Sequence, residues 1–239
     1  MKITILQVGQ TPEMMQNRFE RYPKQYQGLL LANGEDFSFD IKYIIEGEEF
    51  PSHLELEGVI ITGSAHSVYD DIAWIEPLRD FVKQAYALKT PMVGICFGHQ
   101  IMADALGGTV EKSHKGWGIG RHVYRLEQRP DFINGTSDEI AVACSHQDQV
   151  VTVPDKAEVF LSSDFTPNAG LIYNNGAAIS LQPHPEFDKD FAVALVDRLR
   201  GNSLSEEQAN LATRSLDAPL DRMKVGDFIA RFFKQARQT

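Results

Sequence analysis

The chain is poor in cysteine, in long apolar runs and in clusters of basic residues. Its 239 residues contain two cysteines, Cys96 and Cys144, which excludes a disulfide-stapled scaffold and suits a reducing compartment. No apolar run approaches the roughly 18 residues that a membrane-spanning helix needs. The opening segment Met1–Gly9 becomes polar too soon for a signal peptide. We therefore expect a soluble cytoplasmic protein.

The charge balance is acidic. Asp and Glu number 33 and Lys and Arg number 23, so the net charge is −10. An acidic chain without a lysine or arginine run argues against nucleic acid or an anionic membrane as a partner. Hydrophobic residues make up 43% of the sequence, a normal globular value, and the length is sufficient for one large domain with a buried core.

The first half of the sequence alternates between strand and helix patterns. Apolar, strand-like segments occupy Lys2–Val8, Phe39–Ile45, Gly58–Gly63 and Pro91–Ile95, and helical patterns occupy Glu13–Ala32 and Trp74–Leu88. Short strands that are almost wholly apolar are typical of a parallel sheet covered on both faces. The alternation predicts an α/β fold with a doubly wound parallel sheet.

The second half changes character. Five short β-rich segments, which predict mixed or antiparallel strands added at one side of the sheet, are Gly120–Leu126, Glu139–Cys144, Glu158–Ser162, Leu171–Tyr173 and Ala177–Leu181. Three helices are predicted at Asp188–Arg200, Ser205–Leu216 and Leu220–Arg237. We expect one α/β domain over residues 1–200 and a C-terminal helical extension, residues 201–239, packed on the same domain.

Cys96 lies where a strand pattern gives way to a helical one. The strand Pro91–Ile95 leads into Cys96, with Gly94 and Gly98 two residues on either side. This is the pattern of a nucleophile elbow, in which glycine permits close backbone approach and unusual φ values. The helix N-terminus that follows favours the reactive thiolate. The alternative is that Cys96 is a small buried apolar residue, as many free cysteines are.

A second cluster follows the last predicted strand, in the run Gln182-Pro-His-Pro-Glu-Phe187. His184 comes at the carboxyl end of a strand, where open α/β sheets form their sites. Glu186 can turn its carboxylate onto the imidazole and fix its tautomer, and the two prolines restrict the loop. Taken singly, His184 suits an ordinary loop and Glu186 a helix N-terminus. Together with Cys96, they predict a catalytic Cys-His-Glu triad.

An acyl-transfer nucleophile needs donors for the developing oxyanion. The backbone N–H of Phe97 is one candidate, and the loop Thr62-Gly63-Ser64-Ala65 is another, although such a run is also an ordinary small-residue turn. A metal site is not expected, because no compact Cys-x₂₋₄-Cys or His-x₃₋₅-His pairing occurs. We expect His99, three residues after Cys96, in the core or behind the site.

Three blocks of this sequence resemble the class I glutamine amidotransferases, and in particular the glutaminase domain of GMP synthetase. Gly94-Ile-Cys-Phe-Gly-His-Gln100 resembles the nucleophile motif, and Leu181-Gln-Pro-His-Pro-Glu186 resembles the His-Pro-Glu motif. Ser145-His-Gln-Asp-Gln-Val150 resembles a third block between them. The resemblance covers roughly residues 1–200.

The resemblance implies a flavodoxin-like three-layer sandwich whose central sheet is mostly parallel, with added antiparallel strands. It also implies hydrolysis of the γ-amide of glutamine through a γ-glutamyl thioester on Cys96, which releases glutamate and ammonia without a cofactor. His184 would act as general base and then acid, and Glu186 would orient it. By position, the oxyanion hole would be Gly63, Ser64 and Phe97, and the substrate's α-amino and α-carboxyl groups would be held by Gln100, Ser145, Gln147 and Asp148. Ordinary capping is the alternative role for Gln100 and Ser145.

Several functions remain open at this point. The first is a glutaminase or amidotransferase subunit that passes ammonia to a synthetase or synthase partner, because the segment after Arg200 is too short to bind ATP and build a product. The second is a γ-glutamyl peptidase or hydrolase that uses the same thioester chemistry on γ-glutamyl peptides. The third is a catalytically silent regulatory module, which the complete Cys-His-Glu set disfavours. The His-Pro-Glu block also disfavours a cysteine hydrolase or chaperone with a related elbow.

Overall fold

The computed structural model describes residues 1–32, 34, 36–133, 135 and 137–236. The strands are β1 Lys2–Leu6, β2 Ser38–Lys42, β3 Gly58–Ile61, β4 Met92–Ile95, β5 Thr109–Lys112, β6 Gly118–Leu126, β7 Glu139–His146, β8 Asp148–Thr152, β9 Ala157–Ser162, β10 Gly170–Tyr173 and β11 Ala178–Leu181. The α-helices are α1 Tyr22–Leu31, α2 Ile75–Ala87, α3 Phe97–Ala105, α4 Lys189–Leu199, α5 Glu206–Ser215 and α6 Arg222–Ala236.

Nine strands form one sheet in the order β2-β1-β3-β4-β11-β10-β9-β6-β7. The first five of these run parallel to one another, and the remaining neighbours pair antiparallel. The parallel part has the strand order of flavodoxin-like sheets. The predicted α/β class, with a parallel sheet extended by antiparallel strands, is therefore confirmed.

Helices cover both faces of the parallel strands. Successive side chains of a strand point to opposite faces, so Ile60 packs in the cluster that contains α1 and α6, while Val59 and Ile61 pack in the cluster that contains α2 and α3. All four residues of β3 are buried. This double cover is the physical reason why the strand carries no alternation of polar and apolar residues, and it gives the predicted three layers.

The structure departs from the sequence prediction at a helix start and in an additional small sheet. The helix predicted from Glu13 begins only at Tyr22, because Pro23 is accommodated in the first helical turn but not in a helix interior. Residues Glu13–Met15 form a short 3₁₀ turn instead. The small antiparallel sheet of β5 and β8 was not predicted, because β5 is four residues long and buries only one of them.

The C-terminal helices pack on the rest of the chain. Phe228 and Phe233 of α6 are fully buried in the cluster that contains Ile3 of β1, and α5 packs on β6. The division of the chain at residue 200 stays a prediction, and Arg237 and the two residues after it lie outside the described residues. Within the described part of the chain, no helix combines the length and the apolar character needed to cross a bilayer.

Candidate active site

Cys96 joins β4 to α3 with an uncommon backbone conformation. Its φ is 53° and its ψ is −103°, a strained combination for a residue with a side chain, of the kind that is found at functional sites. The flanking glycines serve close approach instead: a Cβ on Gly98 would overlap the carbonyl oxygen of Ile61, and one on Gly94 would overlap the backbone of Gly98. The unusual φ expected of the glycines belongs to the cysteine itself.

His184 lies beside Cys96 and is held on three sides. Its backbone N–H donates to the carbonyl of Ala143 on β7 (2.8 Å). Its ring Nδ1 lies 2.7 Å from Oε1 of Glu186, and the ring stacks on Phe187 with centroids 4.0 Å apart and planes 6° apart. The sulfur of Cys96 is close enough to the ring to raise its pKa. The chain therefore brings the three residues of the predicted triad together.

The charges in this cluster favour an imidazolium. Burial acts to lower the pKa of His184, but Glu186 and Cys96 together outweigh it and raise the pKa to about 10. A protonated His184 between a carboxylate and a sulfur is the arrangement that stabilises a thiolate. Glu186 is 2% exposed, so solvent screens this interaction little.

Glu186 has a second partner, Tyr26 of α1, which was not predicted. The Tyr26 hydroxyl donates to Oε1 of Glu186 at 2.7 Å, so the same oxygen that faces His184 accepts two hydrogen bonds. Burial and the charge of Glu186 raise the pKa of Tyr26, which keeps the hydroxyl a donor. The two residues are 160 positions apart in the chain, and no local pattern links them.

The loop after β3 lies directly against the Cys96–His184 pair. A Cβ on Gly63 would lie 2.9 Å from Cε1 of His184 and 3.6 Å from Cβ of Cys96. Thr62 anchors the loop, because its Oγ1 accepts from the N–H of Val8 at 3.1 Å. The N–H of Gly63 also interacts with the hydroxyl of Tyr26. The predicted oxyanion loop is thus adjacent to the sulfur.

Cys96 and His184 open onto a cavity of about 270 Å³, just below the roughly 300–1,000 Å³ that is usual for small-molecule sites. The lining includes Ser64 and all the residues predicted to bind substrate: Gln100, Ser145, Gln147 and Asp148. Phe97 does not line the cavity; its ring is buried 5.5 Å from that of Trp74, so only its backbone can serve an oxyanion.

Two of the predicted substrate residues also hold the wall together. Nε2 of Gln100 donates to the carbonyl of Asp148 (2.9 Å) and to Oε1 of Gln182 (3.1 Å). The carboxylate of Asp148 accepts from the hydroxyl of Tyr69 at 3.0 Å. The amide nitrogen of Gln100 is therefore committed within the protein, whereas Asp148 presents a negative charge at the cavity.

Residues of three helices, α1, α4 and α6, complete the site in ways that the sequence did not indicate. Arg222, at the start of α6, donates from Nε to the carbonyl of Pro185 (3.3 Å) and from Nη2 to that of Glu186 (3.1 Å). A further cavity wall comes from α1 and α4, with Tyr22, Leu195, Arg198 and Leu199. The sequence did not indicate the contacts of Arg222, because a basic residue near the start of a predicted helix is ordinarily exposed to solvent.

The remaining thiol and the neighbouring histidine are enclosed in the core. Burial raises the pKa of Cys144 far above that of an ordinary thiol, so this cysteine is a poor nucleophile. His99 is fully buried, and its Nδ1 lies 2.8 Å from Oγ of Ser180. Burial lowers the pKa of His99 to about 3. His99 therefore lies behind the site, as expected.

Comparison with known proteins identifies the family. The profile of the family described as "Glutamine amidotransferase class-I" matches residues 12–191. The chain belongs to this family. A glutamine amidotransferase-like protein of Schizosaccharomyces pombe is 34% identical over 187 residues, which are 77% of this chain and 71% of that protein. Gamma-glutamyl peptidase 4 of Arabidopsis thaliana is 28% identical over 215 residues, which are 86% of this chain and 84% of that protein.

A solved structure supports the same fold. A glutamine amidotransferase of Thermotoga maritima superposes with a TM-score of 0.74 over 100% of this chain and 98% of its own. Its sequence identity to this chain is 18%, so the superposition concerns the fold alone. The class I amidotransferase fold implied by the three sequence blocks is confirmed.

Proposed function

We propose that this protein hydrolyses γ-glutamyl amide bonds through a thioester on Cys96, with the γ-amide of glutamine as the first candidate substrate. The observation that carries the proposal is the cluster of Cys96, His184 and Glu186 beside a cavity that the predicted substrate residues line. Nucleophile, base and orienting acid in this relation are the elements of covalent acyl transfer.

In the acylation step, the sulfur of Cys96 attacks the γ-carbonyl carbon and forms a C–S bond. The oxyanion accepts hydrogen bonds from backbone N–H groups next to the sulfur, those of Phe97 and Ser64, while Gly63 supplies the close approach and its own N–H serves Tyr26. His184 gives its proton to the leaving nitrogen as the C–N bond breaks. The products of this step are a γ-glutamyl thioester and a free amine or ammonia.

In the deacylation step, His184 takes a proton from water, which attacks the thioester carbonyl. As the second tetrahedral intermediate breaks down, the C–S bond breaks and glutamate is released, and the sulfur leaves as thiolate beside the imidazolium that holds the proton taken from water. Glu186 keeps the imidazole in the required tautomer throughout, through the 2.7 Å contact to Nδ1.

The γ-glutamyl group is recognised in this proposal by the wall that carries Gln100, Ser145, Gln147 and Asp148. A carboxylate suits the substrate's α-ammonium group, and Asp148 is the acidic residue of that wall. The hydroxyl of Ser145 and the amide of Gln147 suit the α-carboxylate. No cofactor takes part in this route.

A γ-glutamyl peptide is the second candidate substrate. The similarity to a gamma-glutamyl peptidase over most of both chains favours it. The additional wall from α1 and α4 also favours it, because a leaving group as small as ammonia would not need this wall. For the glutamine candidate, we also propose an ammonia-accepting synthetase or synthase partner. A cytoplasmic location suits either candidate, because both cysteines are free thiols.

A product assay tests the proposed function. The wild-type protein, Cys96→Ala and Cys144→Ala are incubated with glutamine or with γ-glutamylalanine, and glutamate, ammonia and alanine are measured. The wild type should release glutamate, Cys96→Ala should release none above background, and Cys144→Ala should stay within about twofold of wild type because its thiol is outside the cavity. Unchanged turnover in Cys96→Ala would contradict the role of its sulfur, and no turnover by the wild type would contradict the proposal as a whole and favour a silent binding module.

A further inference from the structure

The wall formed by α1 and α4 differs in chemistry from the rest of the cavity. Leu195 and Leu199 provide an apolar surface, and Arg198 lies between them in sequence on the same helix. The acidic residue of the cavity, Asp148, lies on a different element, β8, whose backbone is in register with β5 at Lys112. The α4 wall thus combines a hydrocarbon surface with one guanidinium group.

Arg198 is an exposed cation that no carboxylate neutralises. In the described part of the chain, no Asp or Glu lies within ion-pair distance of its guanidinium, whereas its neighbour on the same helix, Arg200, pairs with Asp197 and Glu206. The charge of Arg198 does reach the site. Burial and the charges of Glu186 and Cys96 raise the pKa of Tyr22, and Arg198 acts in the opposite direction.

An unpaired guanidinium beside a reaction centre suits an anionic part of the substrate. The fork of N–H donors matches a carboxylate in a bidentate manner. The α-carboxylate of the γ-glutamyl group belongs, in the proposed function, to the wall with Ser145 and Gln147. A second carboxylate exists only when the leaving group is an amino acid or a peptide, whose free C-terminus lies a short distance beyond the scissile nitrogen.

We propose that Arg198, with Leu195 and Leu199, forms a leaving-group subsite that binds the terminal carboxylate of a short γ-glutamyl peptide with an uncharged side chain. This subsite rests on the proposed function, because the chemistry at Cys96 is the same. The γ-carbonyl C–N bond breaks, the C–S bond forms, and the amino group that leaves takes its proton from His184. Arg198 touches the leaving group and takes no part in proton transfer.

Three substrates separate this role from others. γ-Glutamylalanine has both carboxylates, its C-terminal amide lacks the carboxylate of the leaving group, and glutamine has no leaving amino acid. The wild type should hydrolyse γ-glutamylalanine with a higher kcat/KM than either of the other two. Arg198→Met should lower kcat/KM for γ-glutamylalanine by about tenfold or more, since hydrogen bonds to a charged partner are lost, and should leave the other two substrates within about twofold.

Two control variants test whether the guanidinium of Arg198 itself causes the expected loss on γ-glutamylalanine. Arg214→Met makes the same charge change on an exposed helical position of α5 outside the cavity, and should leave all three substrates unchanged. Arg198→Lys keeps the charge but loses the planar fork, and should recover part of the preference for the free carboxylate.

Other outcomes would overturn the subsite. An equal loss on all three substrates in Arg198→Met would assign Arg198 to the α-carboxylate or to structure. No change, or a selective loss in Lys112→Met instead, would place the leaving carboxylate on another wall. Hydrolysis that depends on Cys96 but ignores the terminal carboxylate overturns the subsite alone, whereas absence of hydrolysis in the wild type overturns the proposed function as well.

Discussion

The two halves of the candidate site are built in different ways. The elbow at Cys96 is assembled mainly from neighbours in sequence: a buried strand, Gly94, which lets α3 turn back onto β4, and Gly98, which lets α3 approach β3. The loop of residues 182–187, which carries His184 and Glu186, is held by distant elements: Ala143 of β7, Tyr26 of α1 and Arg222 of α6. We call this segment the His184 loop.

The difference shows where each half is vulnerable. At the elbow, the backbones of α3, β3 and β4 are in contact. Added side-chain atoms would destabilise the fold there, because closely packed interiors cannot accommodate extra volume. The His184 loop is buried and depends on side-chain donors from Tyr26 and Arg222, so it is weakened when those donor atoms are removed. Overpacking should therefore affect the stability of the whole fold, whereas loss of a donor should affect turnover with little effect on stability.

The largest effect should come from the loop residues that act on the sulfur. His184→Ala should lower kcat on the order of 10⁴-fold, because nucleophile and base act as a unit, and Glu186→Gln on the order of 10²-fold because the imidazole keeps a neutral partner. Steady-state kinetics on the best substrate measures both. A His184→Ala protein that retains a tenth of wild-type kcat would contradict the assignment of the base.

A substitution at the elbow should act on stability. Gly98→Ala places a Cβ against the backbone of Ile61 and should lower the free energy of unfolding by about 2–3 kcal/mol, as overpacking does. Gly28→Ala in α1 meets no atom within 4 Å and should instead raise it by about 0.5–1 kcal/mol. Urea unfolding measures both, and equal midpoints for the two variants would refute the close-approach argument.

The hydroxyl of Tyr26 should matter for turnover and little for folding. Tyr26→Phe removes one of the two donors to Oε1 of Glu186 and should lower kcat about tenfold, the equivalent of about 1.4 kcal/mol, with KM unchanged. Tyr173→Phe removes a hydroxyl that lies 3.3 Å from Oγ of Ser180 and does not line the cavity. This variant should leave kcat unchanged. Equal effects of the two variants on kcat would show that Tyr26 is only a packing residue.

The sequence predicts the geometry of the elbow, but it does not predict which distant residues hold the His184 loop. The elbow was predictable because Gly94, Cys96 and Gly98 are close together and the preceding strand is wholly apolar. The roles of Tyr26 and Arg222 were not, since they lie 160 and 36 residues from Glu186 and a hydrogen bond over such a separation leaves no local pattern. The helix start predicted at Glu13 was wrong, because Pro23 is tolerated in the first turn of a helix but not in its interior, and this constraint outweighs apolar periodicity.

The smallest effect should follow from the contact between α6 and the His184 loop. Arg222→Met removes donors to the carbonyls of Pro185 and Glu186 and should lower kcat about threefold to tenfold, as the loss of one or two modest hydrogen bonds allows. Arg222→Lys should restore part of the rate. Arg231→Met, on the same helix and paired with Asp227, serves as the control and should leave kcat unchanged.

The central claim is that the sulfur of Cys96 attacks a γ-glutamyl carbonyl. The most direct test is to treat the wild-type protein with a diazoketone analogue of glutamine and to locate the adduct by peptide mass mapping. The account predicts one adduct per chain, on Cys96, which excess glutamine or γ-glutamylalanine slows and which His184→Ala nearly abolishes. An adduct on Cys144, or no adduct under conditions in which the protein is folded, would contradict it.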